Sequence, residues 1–381
     1  MASVPRVTLA PPNAVETFAV EPTAVQLTWR GLPAEDIIVR YRDGGEEHEI
    51  TVGRGDHVGA VDITGLRPAT TYRFVASAGE RELGVVEATT LPQLDGEAIR
   101  IATISDLHLG ETRFGVTRPF SESDDATPYP LRCALSAVRE AQAWGAEVIV
   151  IKGDITEHSR PHEWAMFDDV LAEISVPVLA IPGNHDVEIR PESVDGRAEL
   201  AKRGLLPGPV QVHDLSHARL VLVDTTVRGR SFGHIGAHRD ELLTTVTTDH
   251  PAMIFTHHHL QPLRVPSIWP LGISPSDHSP LLDELTAANP RIFSTCGHTH
   301  RSRAYHIGRI PASEVSSTKD FPGVWAGYIL HEDGFHQTVR RVAAPSCLRW
   351  TDQTAGVLGG IWGRWSPGPI DQRSFTHRWP S

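Results

Sequence analysis

The chain of 381 residues has little cysteine, methionine or tyrosine, with three, three and five residues respectively. The cysteines, Cys133, Cys296 and Cys347, are odd in number and widely spaced, which argues against a disulfide framework or a CxxC metal site. We expect buried, reduced thiols. The sequence lacks any run of roughly 18 apolar residues, and its start lacks the basic segment and apolar run of a secretory signal. These absences predict a cytoplasmic protein with no membrane partner.

Positive charge is also scarce. The 35 lysines and arginines are outnumbered by 47 aspartates and glutamates, which gives a formal net charge of -12 at pH 7. A protein that grips nucleic acid chiefly by neutralising phosphates needs an excess of basic side chains, so we do not expect a nucleic-acid partner. With 40% hydrophobic residues, the chain can bury a sizeable core, and its length predicts more than one domain. The sequence leaves open whether the protein forms an oligomer.

Residues 1–93 show the alternating pattern of short strands. In VQLTW (25–29) and in IIVRY (37–41), every second residue is apolar, as in a strand with one buried face. Turn-forming glycine, proline and aspartate separate such runs. The pattern predicts a small all-β sandwich. The segment Leu66–Phe74 resembles the tyrosine corner of fibronectin type III domains, and the resemblance implies a fibronectin type III-like domain that serves as a spacer or packs beside a catalytic domain.

The pattern changes after a linker that we predict at residues 94–98. Residues 99–345 alternate apolar strand-like runs with amphipathic helical stretches, which is typical of an α/β layered fold with largely buried sheets. The predicted strands are IRIATIS, EVIVIKG, VPVLAIPG, RLVLVDT, AMIFTH and RIFSTCGH. Residues 346–381 are rich in tryptophan and glycine and lack periodicity. We expect them to form an irregular C-terminal extension that lies on the core.

The predicted strands end in polar residues of one chemical kind. Ligands of α/β sheets lie beyond the carboxyl ends of the strands, and residues two apart in extended chain share a face. All the side chains concerned are carboxylates, carboxamides or imidazoles, a set that favours catalytic Mn, Fe, Zn or Co over a cysteine-based structural zinc. The residues are Asp106, His108, Asp154, Asn184, His185, Asp186, His257, His298 and His300. They are numerous enough to hold two ions.

The order DxH, GD, GNHD, H and GHxH resembles that of the calcineurin-like metallophosphoesterases, over about residues 99–345. The resemblance implies a layered metallophosphoesterase β-sandwich flanked by helices, with two metal ions. Carried over by position, the first ion would be held by Asp106, His108 and His300, the second by Asn184, His257 and His298, and Asp154 would bridge them. A hydroxide shared by the two ions would attack phosphorus.

The resemblance also implies roles for two residues that are not ligands. His185 would face the phosphoryl group, where it would stabilise negative charge or protonate the leaving oxygen. Asp186 would hydrogen-bond to His185 and fix its orientation. In the run of three histidines that begins at His257, successive side chains alternate in direction. We therefore assign His257 as the ligand, and we expect His258 beside the ligands and His259 in solvent.

The motifs also favour one branch of the superfamily. Purple acid phosphatases join a β-sandwich to this catalytic unit, but Glu157 stands where their iron-ligating tyrosine would be. The set is closer to the bacterial cyclic-nucleotide and glycerophosphodiester phosphodiesterases. This resemblance implies a phosphodiesterase for a small phosphodiester, with 3′,5′-cAMP as the first candidate. A phosphomonoesterase or broad-specificity, acid-phosphatase-like enzyme is the alternative, and a non-catalytic scaffold is the hypothesis that we rank last.

Overall fold

The computed structural model describes residues 15–115, 119–122, 127–262 and 270–380. Its first part consists of antiparallel strands in two sheets, which confirms the predicted all-β N-terminal part. The strands are β1 (Val15–Val20), β2 (Ala24–Trp29), β3 (Asp36–Asp43), β4 (Glu46–Arg54), β5 (Gly59–Thr64), β6 (Thr71–Ala78) and β7 (Arg81–Thr89). One sheet has the order β1-β2-β5 and the other β4-β3-β6-β7. Their alternating apolar side chains, such as Leu27, Val39 and Phe74, form one shared core.

The predicted tyrosine corner has the expected hydrogen bond. The Tyr72 side chain is buried, and its hydroxyl oxygen accepts a hydrogen bond from the Arg67 backbone N–H at 2.8 Å. In a tyrosine corner, the hydroxyl bonds to the backbone a few residues upstream. This contact and the strand order support a fibronectin type III-like domain, which stays a prediction, as do its boundaries at residues 1–93. Residues 1–14 of that range lie outside the described residues.

Residues 99–345, with later strands and helices, form two mixed sheets and the helices that cover them. The strands are β8 (Ile99–Ile104), β9 (Val148–Lys152), β10 (Val178–Ile181), β11 (Val210–Asp214), β12 (Arg219–Val223), β13 (Ala252–Phe255), β14 (Ile292–Cys296), β15 (Arg303–Ile307), β16 (Ile310–Glu314), β17 (Val324–His331), β18 (Gly334–Arg341) and β19 (Ser374–Arg378). The helices are α1 (Tyr129–Ala143), α2 (Pro161–Ala172), α3 (Gly196–Lys202), α4 (Arg239–Val246), α5 (Pro275–Ala288), α6 (Pro345–Thr354), α7 (Ile361–Trp365) and α8 (Ile370–Arg373). The sheet orders are β10-β9-β8-β17-β18-β19 and β11-β12-β13-β14-β16-β15.

The two six-stranded sheets pack face to face. Ile101 and Val150 of the first sheet share a buried cluster with Leu222, Phe255 and Phe293 of the second. Helices α1, α2 and α6 pack on the outer face of the first sheet, and α4 and α5 on that of the second. The predicted layered β-sandwich flanked by helices is therefore confirmed. Strands β8 to β10 are mutually parallel, as are β12 to β14, so their carboxyl ends bring the loops that follow them together.

The prediction of an irregular C-terminal extension is wrong. The extension contains α6, α7, α8 and β19. Helix α6 begins at Pro345, and its buried side chains include Cys347, Trp350, Thr351 and Thr354. These residues recur three or four positions apart, which is the spacing of one helix face, but the helix is too short to show a clear period. Strand β19 pairs with β18 at the edge of the first sheet. Its pairing comes from tertiary contacts that the local sequence does not specify.

The N-terminal β1-β2-β5 sheet docks on the first six-stranded sheet through polar contacts. The Gln26 side chain donates to the Arg341 carbonyl oxygen at 3.1 Å and accepts from the Arg341 amide at 2.7 Å. Arg340 makes ion pairs with both Glu21 and Asp62, and its side chain is 7% exposed. These contacts link β2, β5 and the turn between β1 and β2 to β18. The N-terminal strands therefore pack beside the two six-stranded sheets.

One expectation from the composition, that of buried thiols, also finds a structural counterpart. Cys133, Cys296 and Cys347 are buried free thiols. No helix in the described part of the chain combines the length and the apolar character that a bilayer crossing requires.

Candidate metal centre

The predicted ligand residues lie in loops that follow the strands. Five of them have a positive backbone φ, a conformation that costs a residue other than glycine roughly 1–3 kcal/mol. They are Asp106 (54°), His108 (47°), Asp154 (47°), His298 (68°) and His300 (50°). Backbone hydrogen bonds hold these loops, for example from the His108 amide to the Asp154 carbonyl oxygen at 2.9 Å. Strained backbone that is concentrated in one place is typical of a functional site.

Glycines let the loops approach one another closely. A Cβ atom on Gly183 would lie 2.2 Å from the Asp154 amide nitrogen, and one on Gly297 would lie 1.9 Å from the Ser105 Oγ atom. Any larger residue would push these loops apart. The glycines that precede Asn184 and His298 therefore allow segments distant in sequence to meet.

His108 and His300 face each other through their Nε2 atoms, which are 3.2 Å apart. The Nδ1 atom of His108 contacts the Glu157 carboxylate at 2.7 Å, and that of His300 contacts the Asp320 carboxylate at 2.6 Å. An ionised carboxylate only accepts, so beside one each ring carries a hydrogen on Nδ1 and turns Nε2 towards the other ring. The Asp106 Oδ1 atom lies 3.4 Å from His300 Nε2. Asp106, His108 and His300 form the first ligand group.

His257 and His298 form a second facing pair, with His257 Nε2 3.1 Å from His298 Nδ1. Backbone carbonyl oxygens fix both tautomers: that of Lys152 contacts His257 Nδ1 at 2.8 Å, and that of Leu271 contacts His298 Nε2 at 2.9 Å. The Asn184 Oδ1 atom lies 3.3 Å from His257 Nε2. Asn184, His257 and His298 form the second ligand group.

Asp154 lies between the two ligand groups. Its Oδ2 atom is 3.2 Å from His257 Nε2 and 3.6 Å from His108 Nε2. Its Oδ1 atom accepts a hydrogen bond from the His185 amide at 2.9 Å. The structure thus brings all seven predicted ligand residues together, with one carboxylate oxygen near both groups. The assignment of each as a metal ligand stays a prediction.

Each histidine pair combines one raised and one lowered pKa. Burial opposes protonation of every ring, but the carboxylates beside His300 raise its pKa to about 10, and Asp154 raises the pKa of His257 to about 9. Burial, together with nearby positive groups, lowers the pKa of His298 to about 3 and that of His108 well below its usual value. The surroundings of each pair therefore favour one positive charge between the facing nitrogens.

These side chains fit divalent metal ions. Two facing nitrogen lone pairs repel each other unless they share a cation, and imidazole with carboxylate or carboxamide oxygen is the donor set of catalytic transition-metal sites. The second nitrogen of each ring makes the hydrogen bond that orients a metal-ligating imidazole. Among the sets whose ligand atoms are close enough to share an ion are Asp106–His108–His300, Asp106–Asp154–His257 and His257–His258–His298.

His185 lies above the first ligand group, with its ring 4.6 Å from the His108 ring. Its Nδ1 atom donates to the Glu157 carbonyl oxygen at 2.8 Å, so the backbone fixes the orientation of the ring. The side chain also lines a cavity beside the ligand residues. His185 therefore lies beside the predicted ligand residues, and its role towards a substrate stays a prediction.

The prediction that Asp186 orients His185 is wrong. Asp186 is buried, and its carboxylate accepts hydrogen bonds from backbone amides and one hydroxyl at 2.7–3.1 Å. These donors are the amides of Ile155, Thr156 and Gly183 and the Thr156 Oγ1 hydroxyl. Burial raises the pKa of Asp186 to about 6. The side chain joins the loop after Asp154 to the loop that carries Asn184, so it holds the backbone of two predicted ligand residues in place.

The histidines after His257 are both buried, and the expectation that His259 is in solvent is wrong. His259 is 2% exposed, because its carbonyl oxygen pairs with the Ile273 amide and the chain folds back over it. His258 contacts the Thr225 hydroxyl through Nδ1 at 2.8 Å. Its buried Nε2 atom has no hydrogen-bond partner among the described residues. His258 is therefore a candidate for a further ligand beside His257 and His298.

Sequence reasoning missed two carboxylates that hold ligand histidines. Glu157 orients His108, although the sequence marked it only as a replacement for a tyrosine. Asp320, which is buried, orients His300 from a position 20 residues downstream. Neither has a spacing that would single it out from other acidic residues. Their role depends on the fold, which brings them to the far side of each imidazole ring.

A cavity of about 470 Å³ lies beside the ligand groups. Polar residues on one side include His108, Asp154, Asn184, His185, His298 and His300, which we call the ligand wall. The apolar residues are Phe114, Pro270, Val357, Leu358 and Trp362. The last three, which we call the C-terminal wall, come from the extension, and no motif in the sequence singles them out as cavity residues.

A β-sandwich flanked by helices, with carboxylate and imidazole ligands gathered at its strand ends, defines a metal-dependent phosphoesterase. The family model of calcineurin-like phosphoesterases matches residues 99–302, and the chain belongs to this family. It is a metal-dependent phosphoric ester hydrolase.

The chain is similar to several curated proteins that are named as phosphodiesterases. A probable cyclic nucleotide phosphodiesterase of Rhodococcus erythropolis is 28% identical over 221 residues, which cover 56% of this chain and 70% of the relative. The 3′,5′-cyclic adenosine monophosphate phosphodiesterase CpdA of Escherichia coli is 28% identical over 227 residues, with coverages of 56% and 73%. The glycerophosphodiester phosphodiesterase GpdQ of Enterobacter lignolyticus is 27% identical over 183 residues, with coverages of 44% and 62%.

Proposed function

We propose that this protein is a dinuclear metal-dependent phosphodiesterase that hydrolyses a small phosphodiester, with a 3′,5′-cyclic nucleotide such as cAMP as the first candidate. The observation that carries the proposal is the pair of facing histidine groups with the Asp154 carboxylate between them. One divalent metal ion bound by each ligand group would account for both pairs of facing histidines. The names of the relatives favour a small diester as the substrate.

The residues have separate tasks in this proposal. Bound divalent ions polarise phosphoryl oxygens and lower the pKa of water, so that hydroxide forms near neutral pH. Asp154 keeps the two ligand groups in register, and Asp106 and Asn184 complete one group each. His185 donates from Nδ1 to the Glu157 carbonyl oxygen, which leaves Nε2 as the nitrogen for the substrate. When protonated there, it donates to a phosphoryl or leaving oxygen.

The test is a hydrolysis panel with manganese-loaded protein. We expect turnover of cAMP and of bis(p-nitrophenyl) phosphate to exceed that of p-nitrophenyl phosphate. A preference for the monoester over both diesters would favour a phosphomonoesterase and contradict the proposal. Parallel loading with iron, zinc or cobalt, followed by elemental analysis, measures the stoichiometry, for which we expect two ions per chain.

The same panel tests the scaffold hypothesis. We expect the variants Asn184→Ala and His185→Ala to lose most of the turnover, because each removes a side chain from the ligand wall. Activity that persists in both variants would show that a contaminant produces it. A scaffold would then be the better hypothesis for this chain.

A further inference from the structure

The cavity above the ligand groups has two chemically different walls. The ligand wall carries carboxylate, carboxamide and imidazole groups that suit a phosphoryl group and metal ions. The C-terminal wall is apolar, and it continues into Phe114, whose ring lies 6.0 Å from the Trp362 ring. The Trp362 ring is 6.4 Å from the ring of His300. A molecule with a phosphoryl group at the ligands can therefore contact both walls.

The C-terminal wall is held in place, although part of it is exposed. Leu358 is 53% exposed and has a left-handed backbone, with φ 53° and ψ 38°. An apolar side chain in a strained conformation beside a catalytic cavity gains nothing from the solvent that it faces. The Ser366 hydroxyl donates to the Phe321 carbonyl oxygen at 2.8 Å and ties the segment that follows Trp362 to the core. The wall is therefore preorganised to receive an apolar group.

We propose that Trp362, with Leu358 beside it, forms a subsite for a flat aromatic group of the substrate, namely a nucleobase. The proposal rests on the phosphodiesterase function and names the substrate class of the same site. The base stacks on the indole ring, while the phosphoryl group lies at the ligand groups. Stacking of a base on an aromatic side chain is sequence-tolerant, so the subsite selects nucleotides over other diesters rather than one base over another.

A cationic headgroup is the other partner that an aromatic ring binds well. The charged residues around the cavity are mixed: Arg113 and Lys319 line it, but so do Glu111 and Glu157, and Lys319 pairs with Glu111. Lys319 lies over the Phe114 ring, 4.5 Å from its centroid, so the cation position on that ring is already taken. A choline group on the Phe114 ring would therefore have to displace the Lys319 side chain, which its ion pair with Glu111 holds there. The structure therefore favours an uncharged aromatic group.

The test compares Trp362→Ala and Trp362→Phe with Ile361→Ala as the matched control. Ile361 is the neighbouring residue, 55% exposed, and it is not among the cavity-lining residues. For Trp362→Ala we expect KM for cAMP to rise about 10-fold, with kcat little changed, because one stacking contact is lost. Trp362→Phe is expected to recover much of that loss, and Ile361→Ala to behave as wild type. KM for glycerophosphocholine is expected to change little in all three.

A binding measurement separates this proposal from the phosphodiesterase function on which it rests. Calorimetry with the manganese-loaded protein compares AMP with inorganic phosphate. We expect AMP to bind more tightly than inorganic phosphate. In Trp362→Ala, we expect the affinity for AMP to fall about 10-fold and the affinity for phosphate to stay unchanged. A wild-type protein without diester turnover would contradict the proposed function alone. The subsite would be refuted if AMP bound no better than phosphate, or if the variant weakened both equally.

A second variant guards against a folding defect in Trp362→Ala. Leu358→Ala changes an exposed side chain and leaves the ring in place. We expect KM for cAMP to rise severalfold, by less than in Trp362→Ala. Equal losses for cAMP and glycerophosphocholine in both variants would indicate a distorted ligand wall and would overturn the nucleobase subsite.

Discussion

The ligand wall and the C-terminal wall of the same cavity are built in opposite ways. On the ligand wall, polar side chains of single residues in the loops after several strands are held by contacts to both ring nitrogens or both carboxylate oxygens, as for His298 and Asp154. On the C-terminal wall, apolar side chains from one continuous segment present surface to the cavity. The first arrangement restricts the chemistry, since each ligand has one orientation. The second leaves room for the substrate to be selected.

The comparison teaches where variation is tolerated. A substitution on the ligand wall leaves a buried polar group or a buried charge without its partner, which is costly. A substitution on the C-terminal wall changes contact area and shape only. Changes in reaction and changes in substrate preference are therefore expected to map to different walls, and the following experiments test that separation.

The largest effect is expected for Asp154→Asn, which removes the negative charge between the two ligand groups. Loss of several kcal/mol of transition-state stabilisation corresponds to a decrease in kcat/KM of roughly 10³-fold or more. The measurement is kcat/KM for the preferred ester, with metal content by elemental analysis. Activity within about 10-fold of wild type, at full metal content, would show that Asp154 is not shared between two ions.

The next effect is expected for His185→Ala, which touches the ligand wall without removing a predicted ligand. We expect kcat to fall by roughly 10²- to 10⁴-fold, as for loss of an acid or electrostatic group, while metal content stays at the wild-type level. The ring makes its hydrogen bond to a backbone carbonyl oxygen, so its removal leaves the ligand groups in place. Loss of metal in this variant would instead assign His185 to the ligands.

A smaller effect is expected for Glu157→Gln, which tests a carboxylate behind a ligand histidine. The amide keeps the volume but weakens the hydrogen bond to His108 Nδ1, so we expect metal affinity to fall roughly 10- to 100-fold. Glu188→Gln is the matched control, because Glu188 pairs with His158 rather than with a predicted ligand. Metal titration by calorimetry measures both. Equal affinities in the two variants would contradict the orienting role of Glu157.

The ligand wall could be predicted from sequence because its residues are chemically unusual where they stand. A carboxylate or imidazole directly after an apolar strand has few structural explanations, and several such strand ends in order indicate one edge of the layered fold, here shared by the two six-stranded sheets. The partner of Asp186 could not be predicted in the same way. Its hydrogen bonds go to backbone amides such as that of Gly183, and every residue except proline has an amide, so no sequence pattern marks the right ones.

The C-terminal wall could not be predicted for a different reason. Leu358 and Trp362 are ordinary apolar residues in a segment of short helices, and nothing local indicates whether they enter a core or a cavity. Their position follows from α6, which packs on α1, and from β19, which joins the first sheet. Both contacts join segments far apart in sequence. Local patterns thus predicted the sheets and the ligands, whereas the position of the wall depends on long-range packing.

The smallest effect is expected for backbone strain at Leu358, where the two walls differ once more. Left-handed backbone costs Asp106 and His108 free energy, and their role as predicted ligands explains why this strain persists. Leu358 has the same strain, but it is exposed and is not a predicted ligand. Leu358→Gly and Leu358→Ala remove nearly the same side chain, and only glycine relieves the strain, at some cost in unfolded-state entropy. We expect the glycine variant to exceed the alanine variant by about 0.5–1 kcal/mol in free energy of unfolding, measured by urea denaturation. A more stable alanine variant would indicate that the segment relaxes out of the left-handed conformation, and the C-terminal wall would then not be preorganised.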